Sequence, residues 1–72
     1  CLSAEHIASI ENYTKAISLW PYMGDAYFNR GLVLIYLKDK EKGCIDLSRA
    51  GELGVEEAYG VIKKYCEEKN NE

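Results

Sequence analysis

Few side chains in this chain can do chemistry: Cys1, Cys44, Cys66 and a single histidine, His6, among 72 residues. A zinc site draws its ligands from paired spacings such as Cys-x-x-Cys, and no such pair is present, so no metal site is expected. A Cys–His nucleophilic pair would have to join Cys44 or Cys66 to His6, which stands in the first turn of a helical stretch with no carboxylate to orient its ring. Neither a Gly-rich phosphate loop nor a Ser/His/Asp pattern occurs. The expectation is a non-catalytic protein without a cofactor.

Cys44 and Cys66 are equidistant from position 55, where a turn between two helices is expected, so an antiparallel hairpin places them at one level. Two readings stand. They are two buried thiols packed as small hydrophobes, or a disulfide whose closed loop of about 20 residues contributes ~3 kcal/mol. The first suits the cytoplasm; the second needs an oxidising compartment such as the periplasm or cell envelope. Cys1 in place of Met reads as the boundary of a processed or excised chain, or as the lipid-bearing cysteine of a bacterial lipoprotein, again in the envelope.

The elements that must position these residues belong to one small domain, which on folding buries about 60% of its unfolded surface. With 47% hydrophobic and 29% charged residues the composition is that of a folded protein. Only Lys69-Asn70-Asn71-Glu72 reads as a frayed end. The net charge is −3, and the basic residues are scattered apart from Lys38, Lys40 and Lys42 at one loop and Lys63-Lys64 on a helix. Nucleic acid needs a concentrated basic stripe, so it is not an expected partner. No run approaches the ~18 apolar residues of a membrane span.

Apolar spacing predicts four helices. Ile7, Ile10, Tyr13, Ala16, Ile17 and Trp20 recur at three and four residues, with Ser3 as cap and Pro21 stopping the helix near Leu19 or Trp20. The second helix, Asp25 to Leu37, turns Ala26, Tyr27, Arg30, Gly31, Val33, Leu34 and Leu37 inward and is apolar on its other side too, through Phe28, Leu32, Ile35 and Tyr36. Asp39 caps a third helix running to about Glu52, with Cys44, Leu47, Ala50 and Leu53 as its buried stripe. Gly54 suits the left-handed end of that helix. A fourth follows to about Lys69, with Ala58, Tyr59, Ile62, Tyr65 and Cys66 inward.

Two segments repeat. Ile10–Leu19 aligns without a gap against Cys44–Leu53 at an offset of 34, Ala16 to Ala50, pairing Asn12 with Asp46, Thr14 with Ser48 and Lys15 with Arg49. Ala58-Tyr59 repeats Ala26-Tyr27 at 32. Such a period marks units that bury their apolar faces against neighbours.

The stretch Asp25-Ala-Tyr-Phe-Asn-Arg-Gly31, followed by Asp39-Lys-Glu-Lys-Gly-Cys44 and Ala50, resembles the tetratricopeptide repeat, a helix-turn-helix unit of about 34 residues. Tyr27, Gly31, Ala16, Ala50 and Pro21 fill the family's characteristic positions; Gly43, Leu34, Val55 and Arg30 depart from it. Ala50-Gly-Glu-Leu-Gly54 slightly resembles the Sel1-like repeat, whose longer period fits less well. The resemblance implies an all-α, short right-handed solenoid of four antiparallel helices: residues 1–23 the second half of one repeat, 24–55 a complete repeat, 56–72 the first helix of another or a cap.

The resemblance further implies a protein- or peptide-binding scaffold within a longer array. Its concave groove would present Asp25, Phe28, Leu32, Ile35 and Tyr36, with Glu57, Gly60 and Lys64 from the last helix. Equally, Phe28, Leu32 and Tyr36 would bury against a helix or subunit outside this chain. The carboxylate clamp of some members is not carried here: Asn29 matches one of its positions, but Val61 stands where a basic residue is needed. The alternative role is structural self-assembly through exposed helix faces, with a homodimer formed through Ile7, Ile10 and Ile17, whose apolar stripe lacks a covering helix.

Overall fold

The structure, a computed structural model, describes residues 4–67. Cys1, the cap expected at Ser3, and the chain end expected to fray from Lys69 lie outside them. The described residues form four helices and no strand: α1 (Ala4–Leu19), α2 (Gly24–Tyr36), α3 (Lys40–Glu52) and α4 (Glu57–Val61), the last running on into a π turn, Ile62–Cys66. The described residues are all-α, as the periodicity predicts.

Each boundary has a local cause. The Trp20 N–H donates to Ala16 O at 2.7 Å, after which Pro21 can donate nothing, and the Met23 N–H returns to Trp20 O to close the turn. At the end of α2 the Lys38 N–H donates to Ile35 O and the Asp39 N–H to Leu34 O, the paired bonds of a Schellman motif. Lys38 takes the left-handed position, φ 73°, which usually falls to glycine. Asp39 then caps α3 by accepting from the Lys42 N–H at 3.4 Å. The third helix ends by the same pattern, from Gly54 N–H to Gly51 O and from Val55 N–H to Ala50 O, with Gly54 at φ 107°. The fourth helix departs from expectation. It is not one α-helix, because after a single α turn its pairing lengthens to the π form over Ile62–Cys66, a change in hydrogen-bond partner that side-chain periodicity does not reveal.

α2 lies between α1 and α3. It runs antiparallel to α3, since Gly24 sits beside Leu53 and Val55 while Gly31 sits beside Gly43 and Asp46. A Cβ on Gly31 would lie 2.9 Å from Gly43 O, and one on Gly43 would lie 2.8 Å from Gly31 O. The two backbones are in contact, and only glycine at both positions permits it. The molecule measures 39 × 32 × 14 Å, so thin that few side chains can be enclosed. Leu47, Ala50 and Ala58 are wholly buried, with Tyr27, Phe28, Leu32, Ile35, Val55, Val61 and Ile62 packed around them.

Several inward assignments need correction. Ala16 is half-buried where its repeat partner Ala50 is 0% exposed, because α1 meets only α2 closely and leaves its other side to solvent. Tyr59 and Tyr65 are exposed. The Tyr59 ring lies over Gly51 from outside the core, 2.6 Å from where a Cβ would stand.

Candidate functional site

Arg30 joins three helices. Its Nε donates to Asp46 Oδ2 at 2.7 Å and its Nη2 to Oδ1 at 3.0 Å, while Nη1 donates to Thr14 Oγ1 at 3.0 Å. The Thr14 hydroxyl in turn donates to Ile10 O one turn back on α1. The guanidinium carbon also stands 5.7 Å from the centre of the Tyr27 ring, within cation–π range. Hydrogen bonding to Asp46 raises the Arg30 pKa above its ordinary value, with burial acting against it. Asp46 is 5% exposed, and no buried side-chain nitrogen or oxygen among the described residues lacks a partner. This network floors a cleft of ≈ 320 Å³ lined by Ile10, Thr14, Leu34, Lys42 and Ile45. Its donors and acceptors satisfy one another, which makes it a structural junction.

On the other side lies a different surface. Leu32, Ile35, Tyr36, Lys38 and Tyr65 line a recess of ≈ 460 Å³, and a neighbouring one of ≈ 300 Å³ adds Lys40. α2 supplies the aliphatic floor, the Schellman turn projects Lys38, and the π turn delivers Tyr65 as the far wall. The Lys64 ammonium lies 5.5 Å from the Tyr65 ring centre. Among the described residues no carboxylate lines either recess. The result is an apolar, aromatic trough rimmed by lysines in a chain whose net charge is −3.

The residues read from sequence are thus distributed. Leu32, Ile35 and Tyr36 come together in the trough, and Lys64 stands beside its wall. Phe28 packs on the core cluster, and Leu32 and Ile35 do so as well as lining the trough. Asp25 is exposed at the opposite end of α2, 11 residues from Tyr36 and so about 16 Å away along the helix. Tyr36 also stacks on His6, ring centres 4.8 Å apart, tying the start of α1 to the end of α2. Of the dimer stripe, Ile10 and Ile17 are half-buried and Ile7 is exposed.

The sequence places Lys38 among three lysines at one loop and Tyr65 on the inward face of the fourth helix, and points to neither as a site residue; Tyr65 follows the change to π pairing, which no spacing announces.

Cys44 and Cys66 are joined in a disulfide, Cα atoms 6.1 Å apart, which fastens the end of the π turn to α3 next to Tyr65. Both sulfurs are therefore bonded, and neither stands as a thiolate beside His6. Among the described residues no three His, Cys, Asp or Glu side chains are placed to hold a metal, and no helix is long and apolar enough to cross a membrane. Compared with protein-family models, with curated proteins and with solved structures, the chain matches none.

Proposed function

We propose that this chain is a non-catalytic scaffold of the tetratricopeptide type that holds a protein or peptide segment in the trough beside the C-terminal half of α2. One observation carries the reading: Leu32, Ile35 and Tyr36 line one recess together with Tyr65 and Lys38. Apolar and aromatic side chains at the centre exclude water and supply affinity, and charges at the rim orient what binds. The 34-residue offset between α1 and α3 supports a repeat architecture and hence a longer array. The occupant this chemistry suits is an extended or helical segment bearing one or two large apolar side chains.

The test is selection of peptides from a displayed random library on the immobilised, oxidised chain. Binders should compete with one another. Tyr65→Ala should weaken them about tenfold or more, ~1.4 kcal/mol, without lowering the melting temperature, and Tyr36→Ala should weaken them as much while also losing the stacking on His6, about 1 kcal/mol of stability. Peptides that bind both variants as tightly as the parent would refute the site.

A further inference from the structure

Among the described residues, the turn between α1 and α2 is the most exposed apolar feature. Leu19, Trp20 and Tyr22 are 66%, 62% and 82% exposed, Met23 is exposed beside them, and Pro21 fixes the shape they share. Monomeric proteins seldom present such a cluster to water. Its surroundings are acidic. The turn abuts the α3–α4 turn, where a Cβ on Gly24 would lie 2.9 Å from Val55 Cγ2, and Asp25, Glu56 and Glu57 are exposed around it. The Arg49 side chain at this end is already bonded to Glu52 at 3.2 Å.

At the other end of α2 lies the trough with its lysine rim. Apolar surface with carboxylates at one end therefore faces apolar surface with the Lys38 ammonium at the other, about 20 Å apart along a 13-residue helix. No molecule can bring its own two ends together. We propose that the α1–α2 turn of one copy docks into the trough of a second copy, joining chains head to tail. Such a contact is heterologous, so it yields rings or filaments, unlike the twofold pairing that Ile7, Ile10 and Ile17 would give. The proline-fixed turn loses little freedom on docking. Because the charges sit at the rim, the association weakens with added salt. The inference rests on the trough being a docking surface, as in the scaffold reading, but needs no foreign peptide.

Trp20 is the sole tryptophan, so its emission reports directly on burial of the turn. As concentration rises, the emission should move to shorter wavelength in step with an increase in sedimentation coefficient. Tyr22→Lys, which damages the turn, and Lys38→Glu, which damages the trough, should each weaken association more than about tenfold, ~1.4 kcal/mol. Mixed in equal amounts they should form a complex again, since one retains an intact trough and the other an intact turn. Far-UV circular dichroism confirms that each variant is folded; should Lys38→Glu fail to fold, Tyr36→Ala takes its place. A chain monomeric at all concentrations, association indifferent to both changes, or a mixture that stays monomeric would overturn the proposal. Peptide capture is read separately, so a monomer that still selects peptides defeats head-to-tail docking and leaves the scaffold reading standing.

Discussion

Asp46 on α3 and Arg30 on α2 form a two-pronged ion pair, 2.7 and 3.0 Å, across the α2–α3 contact, with the carboxylate 5% exposed. Paired so, each group offsets the cost of the other's desolvation; alone, either is expensive to bury. The pair lies next to the glycine contact, since Gly31 follows Arg30 in the chain and a Cβ on Gly31 would sit 3.2 Å from Asp46 Cβ.

Removing one partner should therefore cost more than removing both. Arg30→Leu leaves Asp46 unpaired and should destabilise the fold by about 3 kcal/mol or more. Arg30→Leu with Asp46→Leu should cost less than either single change, measured by urea unfolding. Additive losses would show that the pair is not coupled.

The glycine contact makes an opposite pair of predictions for one substitution. Alanine at Gly43 would place a Cβ 2.6 Å from Ile35 Cγ1 and 2.8 Å from Gly31 O, forcing α2 and α3 apart. The strain of about 1–3 kcal/mol should exceed the ~1 kcal/mol gained in helix propensity, so the melting temperature falls. Alanine at Gly60 meets nothing within 4 Å and should raise stability by about 0.4–1 kcal/mol.

Overpacking should separate the two repeated alanines. Ala50 is wholly buried, and Ala50→Leu should cost about 1–3 kcal/mol. Ala16 is half-buried with solvent on its other side, so Ala16→Leu should cost clearly less than Ala50→Leu, by about 1 kcal/mol or more. Equal losses at both sites would contradict the packing of α1 described above.

Reduction of the Cys44–Cys66 disulfide, residues 22 apart, should lower stability by about 3 kcal/mol through release of loop entropy in the unfolded chain. In a domain of this size that corresponds to a fall in melting temperature of more than about 10 °C. Calorimetry with and without a dithiol reductant measures it. An unchanged melting temperature would mean that the bond constrains little.

Helix number and most boundaries were legible because Pro21, Asp39 and Gly54 are strong local signals, and the three- and four-residue spacing of α1 and α3 is regular. Leu47 and Ala50 were readable for the same reason. Asp46 was not: beside Arg49 on an amphipathic helix it looks like one more solvated charge, and only the partner 16 positions earlier explains its burial. The trough was half legible. Leu32, Ile35 and Tyr36 show as a second apolar face on α2, whereas Lys38 and Tyr65 depend on a left-handed backbone and a π turn, neither of which has a period in the sequence.

Lys38 occupies a backbone conformation that costs a residue with a Cβ about 1–2 kcal/mol and costs glycine nothing. The matching position after α3 holds Gly54, so the cheaper solution is already used once in this chain. Lys38→Gly should raise the melting temperature by several degrees, ~1 kcal/mol, while stripping the trough of a charge and weakening whatever docks there. Strain of this kind collects where recognition competes with folding. On the scaffold reading, the α2–α3 turn gives up durability for a cation at the mouth of the trough, and laboratory selection for heat resistance alone would erase it.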